Sequence, residues 1–115
     1  LLAKEADLES LQIISGSNAN GYYLIFPDNT AICWGKKSKD LTFSPVGNVC
    51  YSGFDWISFP ITFSSIPNVN VSVQFGNIGS IQLGTIENYR FYSSVLSAES
   101  TPRPTTVHYS AFGEV

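Results

Sequence analysis

The clearest pattern in the chain is NVNVSVQF, residues 68–75. Here Val69, Val71, Val73 and Phe75 alternate with Asn68, Asn70, Ser72 and Gln74. A period of two sends successive side chains to opposite faces, so this segment predicts a strand with one face in a core and one in water. GYYLIFPDNTAICWG, residues 21–35, predicts a hairpin. Its arms are residues 22–26 and 31–34. Its turn is Pro27-Asp28-Asn29-Thr30, where Pro presets φ and Asp and Asn favour turn conformations. In DWISFPITF, residues 55–63, Pro60 demotes the apolar run to an edge or a bend, because it has no N–H to give a ladder. Residues 85–96 read as one long strand carrying Tyr89, Phe91 and Tyr92, and residues 105–113 as the last strand. Residues 49–51 suggest a short strand. Residues 36–48 suggest a polar loop with a short strand at 41–43, and residues 76–84 and 97–104 suggest further loops.

The expected core is Trp34, Phe59, Phe63, Val69, Val71, Val73 and Phe75. Trp56 follows Gly53-Phe54-Asp55 at a loop–strand junction and suits either a core or an exposed place. Several short strands punctuated by turn residues predict an all-β antiparallel sandwich. Residues 1–14, LLAKEADLESLQII, break the pattern. Leu1, Leu8 and Leu11 fall on one face at heptad-like spacing, which predicts a short N-terminal helical stub. So short a helix is marginal alone. It is expected to end a longer coiled coil, or to lean on neighbouring chains, in a polypeptide cut from something longer. Residues 15–21, SGSNANG, read as a linker, and residues 22–115 as the β domain.

Composition narrows the function. Of 115 residues, 43% are hydrophobic and 14% aromatic, a mix suited to pleated, half-buried strands. Only 13% are charged, so Ser, Thr, Asn and Gly must cover much of the surface. Net charge is −3, and the one basic group is Lys36, Lys37 and Lys39, which argues against nucleic acid. No apolar run approaches the ~20 residues of a membrane span, so no membrane insertion is expected. Cys33 and Cys50 allow one bridge, but two buried free thiols are favoured, since a single bridge makes no disulfide framework.

Catalytic signatures are missing. His108 is the sole histidine, no nucleophile elbow accompanies it, and no Gly-rich phosphate loop or zinc spacing is present. The expectation is no enzyme and no cofactor. His108 suits a surface or interface residue with a local hydrogen bond. Ligand contact, or a metal site built from three chains, are its other readings. Asn70-Val71-Ser72 fits the glycosylation acceptor pattern, but inside a strand the match is read as coincidence.

Three segments, in order, resemble bacteriophage tail-fibre C-terminal domains. Residues 21–35 resemble their opening hairpin, of the form Gly-aromatic, then Pro-(Asp/Asn)-Gly, then (Cys/Gln)-Trp-Gly. Residues 57–69, ISFPITFSSIPNV, resemble a second signature shared with H-type lectin domains. Residues 107–113, VHYSAFG, resemble the closing strand. Asn29 stands where the turn Gly is common, and Tyr109 where the lectins usually have Trp. The resemblance implies a sandwich of about six strands, assembled as a homotrimer. It also implies a non-catalytic tip, distal on the virion's tail fibre and assembled in the host bacterial cytoplasm, that recognises a bacterial surface glycan or outer-membrane protein. A trimerisation or capping domain of the fibre, or a secreted H-type-like lectin, are the alternatives. No sugar specificity carries over, because the lectins' sugar-contacting loops have no matching motif here. The candidate ligand-binding residues are Trp56, Tyr89, Arg90, Tyr92, Arg103 and His108, on aromatic-rich or loop segments whose rings and polar groups suit a sugar.

Overall fold

The computed structural model describes residues 12–74, 79–100 and 102–115, Arg103 through its backbone. The described residues form nine strands and no helix: β1 (Ile14–Asn18), β2 (Gly21–Ile25), β3 (Thr30–Leu41), β4 (Ser44–Val46), β5 (Val49–Ser58), β6 (Asn68–Gln74), β7 (Gly79–Ile86), β8 (Arg90–Ser97) and β9 (Arg103–Glu114). They pair antiparallel in a five-stranded sheet, order β1-β2-β3-β9-β6, and a four-stranded sheet, order β4-β5-β8-β7.

Strand alternation assigns the faces. On β3 and β9, Ala31, Cys33, Leu41, Val107, Tyr109 and Ala111 are buried on the inner face. The other sheet answers with Cys50, Phe54, Ile57, Phe91 and Val95, and these residues join Phe43, Phe59 and Phe63 in one core cluster. Phe59 is the hub. Its ring lies 5.5 Å from Phe63, 5.6 Å from Phe91 and 5.9 Å from Tyr109. Phe91 and Tyr109, one from each sheet, meet edge to face at 5.4 Å, the geometry that ring quadrupoles prefer. Cys33 and Cys50 are both free, and burial pushes the Cys33 thiol up to about 12.

The 21–35 hairpin forms as its pattern predicts, and its turn explains how Asn replaces Gly. Asn29 has φ +67°, a left-handed conformation that Asn tolerates better than most residues. The loop closes through Phe26 N–H to Thr30 O at 2.8 Å. Asp28 Oδ1 accepts from Thr30 N at 3.0 Å and Oγ1 at 2.6 Å, which lowers the Asp28 carboxyl below its usual range. β6 follows its alternation, with Val69, Val71 and Val73 packed against the core. β5 stops at Ser58, just before Pro60.

Other expectations are corrected. Among the described residues there are nine strands where about six were expected. Residues 1–11 of the expected helical stub, and Phe75, lie outside the described residues, but Ile14 begins a strand. The stretch expected to be a linker, from Ser15, forms β1 and its turn. It is small and polar because both its faces are largely exposed. The expected loop at 36–48 is mostly strand, since β3 runs to Leu41 and β4 follows. Residues 79–84 also belong to a strand, β7. Residues 85–96 are two strands, separated by a turn in which Glu87 N–H donates to Arg90 O at 2.8 Å. Trp34 is not core. It is 39% exposed because Cys33, beside it, takes the inward position.

Two substitutions separate packing from polarity in this core. Phe63, 1% exposed, touches Phe59, so Phe63→Ala should cost about 3–5 kcal/mol per chain in urea unfolding. Ser93 is fully buried, and its hydroxyl has no hydrogen-bond partner among the described residues. Ser93→Ala removes that desolvated group at almost constant volume, so the same measurement should show unchanged stability or a gain of about 1 kcal/mol.

Candidate functional site

β5 and β8 place alternate side chains on the outer face of the four-stranded sheet. Trp56 stands opposite Tyr92, Ser58 opposite Arg90 and Tyr51 opposite Leu96. A register shift in β5 between Gly53 and Trp56 accompanies the turning of Trp56 outward beside buried Ile57, as a bulge re-aims a side chain. Trp56 and Tyr92 meet edge to face at 5.6 Å. Arg90 lies between two rings, its guanidinium 3.9 Å from the Trp56 centroid and 5.1 Å from that of Tyr89. Its Nε donates to Glu87 Oε1 at 2.7 Å, and this bond is the main reason its proton is held more firmly than usual. The Tyr92 phenol lies over Gly53, where a side chain would collide with it. Partial burial, then the neighbouring Tyr51 phenol, raises its pKa.

Four of the six candidates, Trp56, Tyr89, Arg90 and Tyr92, thus form one half-exposed aromatic platform. Tyr51 joins it, unanticipated. Lys39 Nζ reaches Asp55 Oδ1 at 3.1 Å, and Lys37 Nζ donates to the Trp56 carbonyl at 3.2 Å, at the platform's edge. His108 is elsewhere. It lies on the outer face of the five-stranded sheet, opposite Lys36 on β3 and Ser72 on β6. Its Nε2 is 3.4 Å from Gln74 Oε1, the local hydrogen bond expected of it. Arg103 opens β9 opposite Leu41.

Beside His108 runs an open groove of about 570 Å³, bordered by the β1–β2 turn, Tyr22, Trp34, Gly35 and Lys36. Tyr22 and Trp34 are register partners whose rings stack at 5.9 Å. Sequence reasoning placed Trp34 in the core and overlooked Tyr22. The signal was present: Tyr22, Ile32 and Trp34 alternate with Tyr23, Ala31 and Cys33, and the smaller set suits the inside of a tight sandwich. The turn is fixed from below, where the Tyr109 hydroxyl donates to Asn20 O at 2.7 Å. Burial pushes the Tyr109 phenol well above its ordinary range. Among the described residues no three His, Cys, Asp or Glu lie together as a metal site, and no helix is long and apolar enough to cross a membrane.

No protein-family model matches the chain, and no curated protein matches it in sequence. Solved structures do match. An N-truncated R1-type pyocin tail fibre is 13% identical with a TM-score of 0.67, over 97% of this chain and 94% of that one. The Pseudomonas aeruginosa R1 pyocin fibre comprising C-terminal residues 323–701 is 14% identical with a TM-score of 0.65, over 89% of this chain and 28% of that one. The Pseudomonas phage phi297 tailspike gp61 is 13% identical with a TM-score of 0.53, over 72% of this chain and 15% of that one. This chain therefore spans about a quarter of the longer pyocin fibre. At these identities the shared property is the fold: an all-β domain of the kind found in pyocin tail fibres and a phage tailspike.

Gly21 tests how tightly the turn is built. Its φ is +145°, and a Cβ there would strike the Trp34 carbonyl oxygen. Gly21→Ala should cost about 2 kcal/mol or more in chemical denaturation, because strain and collision coincide. It should also shift the tryptophan emission of the folded protein, since Trp34 must move.

Proposed function

We propose that this chain is a non-catalytic receptor-binding domain of a tail fibre of the phage or pyocin kind, and that its platform holds a glycan on the host bacterial surface. The observation that carries this reading is the exposed Trp56–Arg90–Tyr89–Tyr92 platform on a fold shared with tail-fibre domains. A sugar ring has one apolar face and a rim of hydroxyls. Trp56 and Tyr92 offer apolar area to the first, and the Arg90 guanidinium and the tyrosine hydroxyls offer hydrogen bonds to the second. Arg90 is already fixed by Glu87 and two rings, so little side-chain freedom is lost on binding. Assembly as a homotrimer on the virion belongs to the same proposal. Three weak sites on one tip gain strength through effective concentration.

The direct test is flow cytometry of the labelled protein on a panel of Gram-negative cells, before and after periodate oxidation of their surface glycans. The expected result is periodate-sensitive binding to a subset of strains, weakened about tenfold by Trp56→Ala through the loss of one aromatic contact, with the domain still folded by circular dichroism at the assay temperature. Binding that survives both treatments would point to a protein receptor or to another surface. Sedimentation of the same sample reads the trimer.

A further inference from the structure

The described cationic side chains of this chain are not scattered. Of six Lys and Arg, Lys36, Lys37 and Lys39 lie on β3, and Arg90 stands on the platform. The single histidine is the cross-strand partner of Lys36. The two tryptophans stand on different sheets, Trp34 on the groove and Trp56 on the platform. A hollow of about 190 Å³ joins the two. Ala19, Asn20 and Lys36 line both it and the groove, and Lys37 and Trp56 line its far side. Lys39 and Lys37 lie against Asp55, and Arg90 against Glu87, but Lys36 has no ion pair among the described residues. One uncompensated ammonium therefore stands at the junction, in a chain of net charge −3.

We infer that groove, hollow and platform form one continuous track for an acidic glycan. A sugar ring lies against Trp34 and Tyr22, a carboxylate or phosphate meets Lys36, and the saccharide continues over the Ala19–Asn20 turn to Trp56. This rests on the proposed function for the ligand being a glycan. It adds a second contact surface and the ligand's charge. The groove has the size of ordinary small-ligand sites, about 300–1,000 Å³. The Ser17 hydroxyl and the turn on its border suit sugar hydroxyls. A neutral glycan would leave Lys36 unused. A nucleic acid would need several uncompensated cations on one face, where this track supplies Lys36 alone among its lysines and Arg90.

The two tryptophans are the chain's only ones, so each end has its own reporter. Trp56→Phe leaves Trp34 as the fluorophore, and Trp34→Phe leaves Trp56. The full chain is titrated with oligogalacturonate for carboxylate, a phosphomannan oligosaccharide for phosphate, and maltohexaose as neutral control. The expected result is that one acidic probe changes the emission of both reporters and binds more weakly as salt is raised. Lys36→Gln should weaken that binding about fivefold, as for one partly exposed charge contact. Whichever acidic probe binds identifies the anion. Equal binding of maltohexaose, no response to either acid, or an unchanged affinity in Lys36→Gln overturns the inference. So does a Trp34 that acrylamide cannot quench in the native oligomer, since the groove would then be covered. A response from Trp56 alone removes the track and leaves the platform reading standing. Cell binding that is insensitive to Trp56→Ala removes the platform reading instead.

Discussion

Five residues after β5, Phe59 to Phe63, hold the structure and its surface together. Their two aromatic rings turn inward, and Phe59 packs on Phe91 of one sheet and Tyr109 of the other. Their backbone turns outward and holds both site-bearing turns. Asn18 Nδ2 donates to Pro60 O at 2.9 Å, Phe59 N–H donates to Tyr89 O at 2.9 Å, and Phe63 N–H donates to Asn88 O at 2.8 Å. Asn88 Nδ2 returns a bond to Phe63 O at 3.1 Å. Pro60 makes this possible by ending the ladder, since a continued strand would spend these groups on a neighbouring strand. The segment's polar groups therefore fix the β1–β2 turn beside the groove and the β7–β8 turn that carries Tyr89. A core substitution here would also displace the rings of the groove and the platform.

How far the sequence could be read depended on whether burial imposed a period. β6 was legible because its valines face a core and its Asn, Ser and Gln face water. The 21–35 hairpin was legible because Pro, Asp and Asn state their turn geometry. β3 beyond Gly35 was not. Lys37 and Lys39 share the inward parity of Cys33 and Leu41, yet they stay exposed and reach Asp55 and the Trp56 carbonyl across the gap between sheets. Polar on both faces, that stretch looks like a loop, and only its pairing with β9 makes it a strand. The β7–β8 turn was hidden for the opposite reason. Aromatic and β-branched residues on both sides of Glu87-Asn88 outweighed the turn signal of a lone Asn.

The candidate site was partly legible by the same logic. Tyr89, Arg90 and Tyr92 stood out as an aromatic-rich run, and Trp56 as a ring at a junction. That they meet depends on the β5–β8 register, which no local pattern states. Trp34 was misplaced because a large ring next to an apolar run suggests a core. Parity with Cys33 decides otherwise. Tail-fibre folds at 13–14% identity transfer an architecture and no particular side chain, so the platform must be judged on its own geometry.

That geometry divides the work between two kinds of cation. Arg90 is held by a carboxylate at 2.7 Å and two ring faces, so it would meet the proposed ligand with its orientation already set. Its charge is largely answered by Glu87, which leaves directed hydrogen bonding as its contribution. Lys36 is the reverse, with unanswered charge on a flexible stem. On the proposed track it would add long-range attraction and selection by sign, screened by salt over about 8 Å at physiological ionic strength. A surface with so few charges makes the distinction effective, because little else on this face competes with one free ammonium for an anion. On the proposed track, residence on the surface would depend on the pre-set rings and Arg90, and choice among glycans on Lys36.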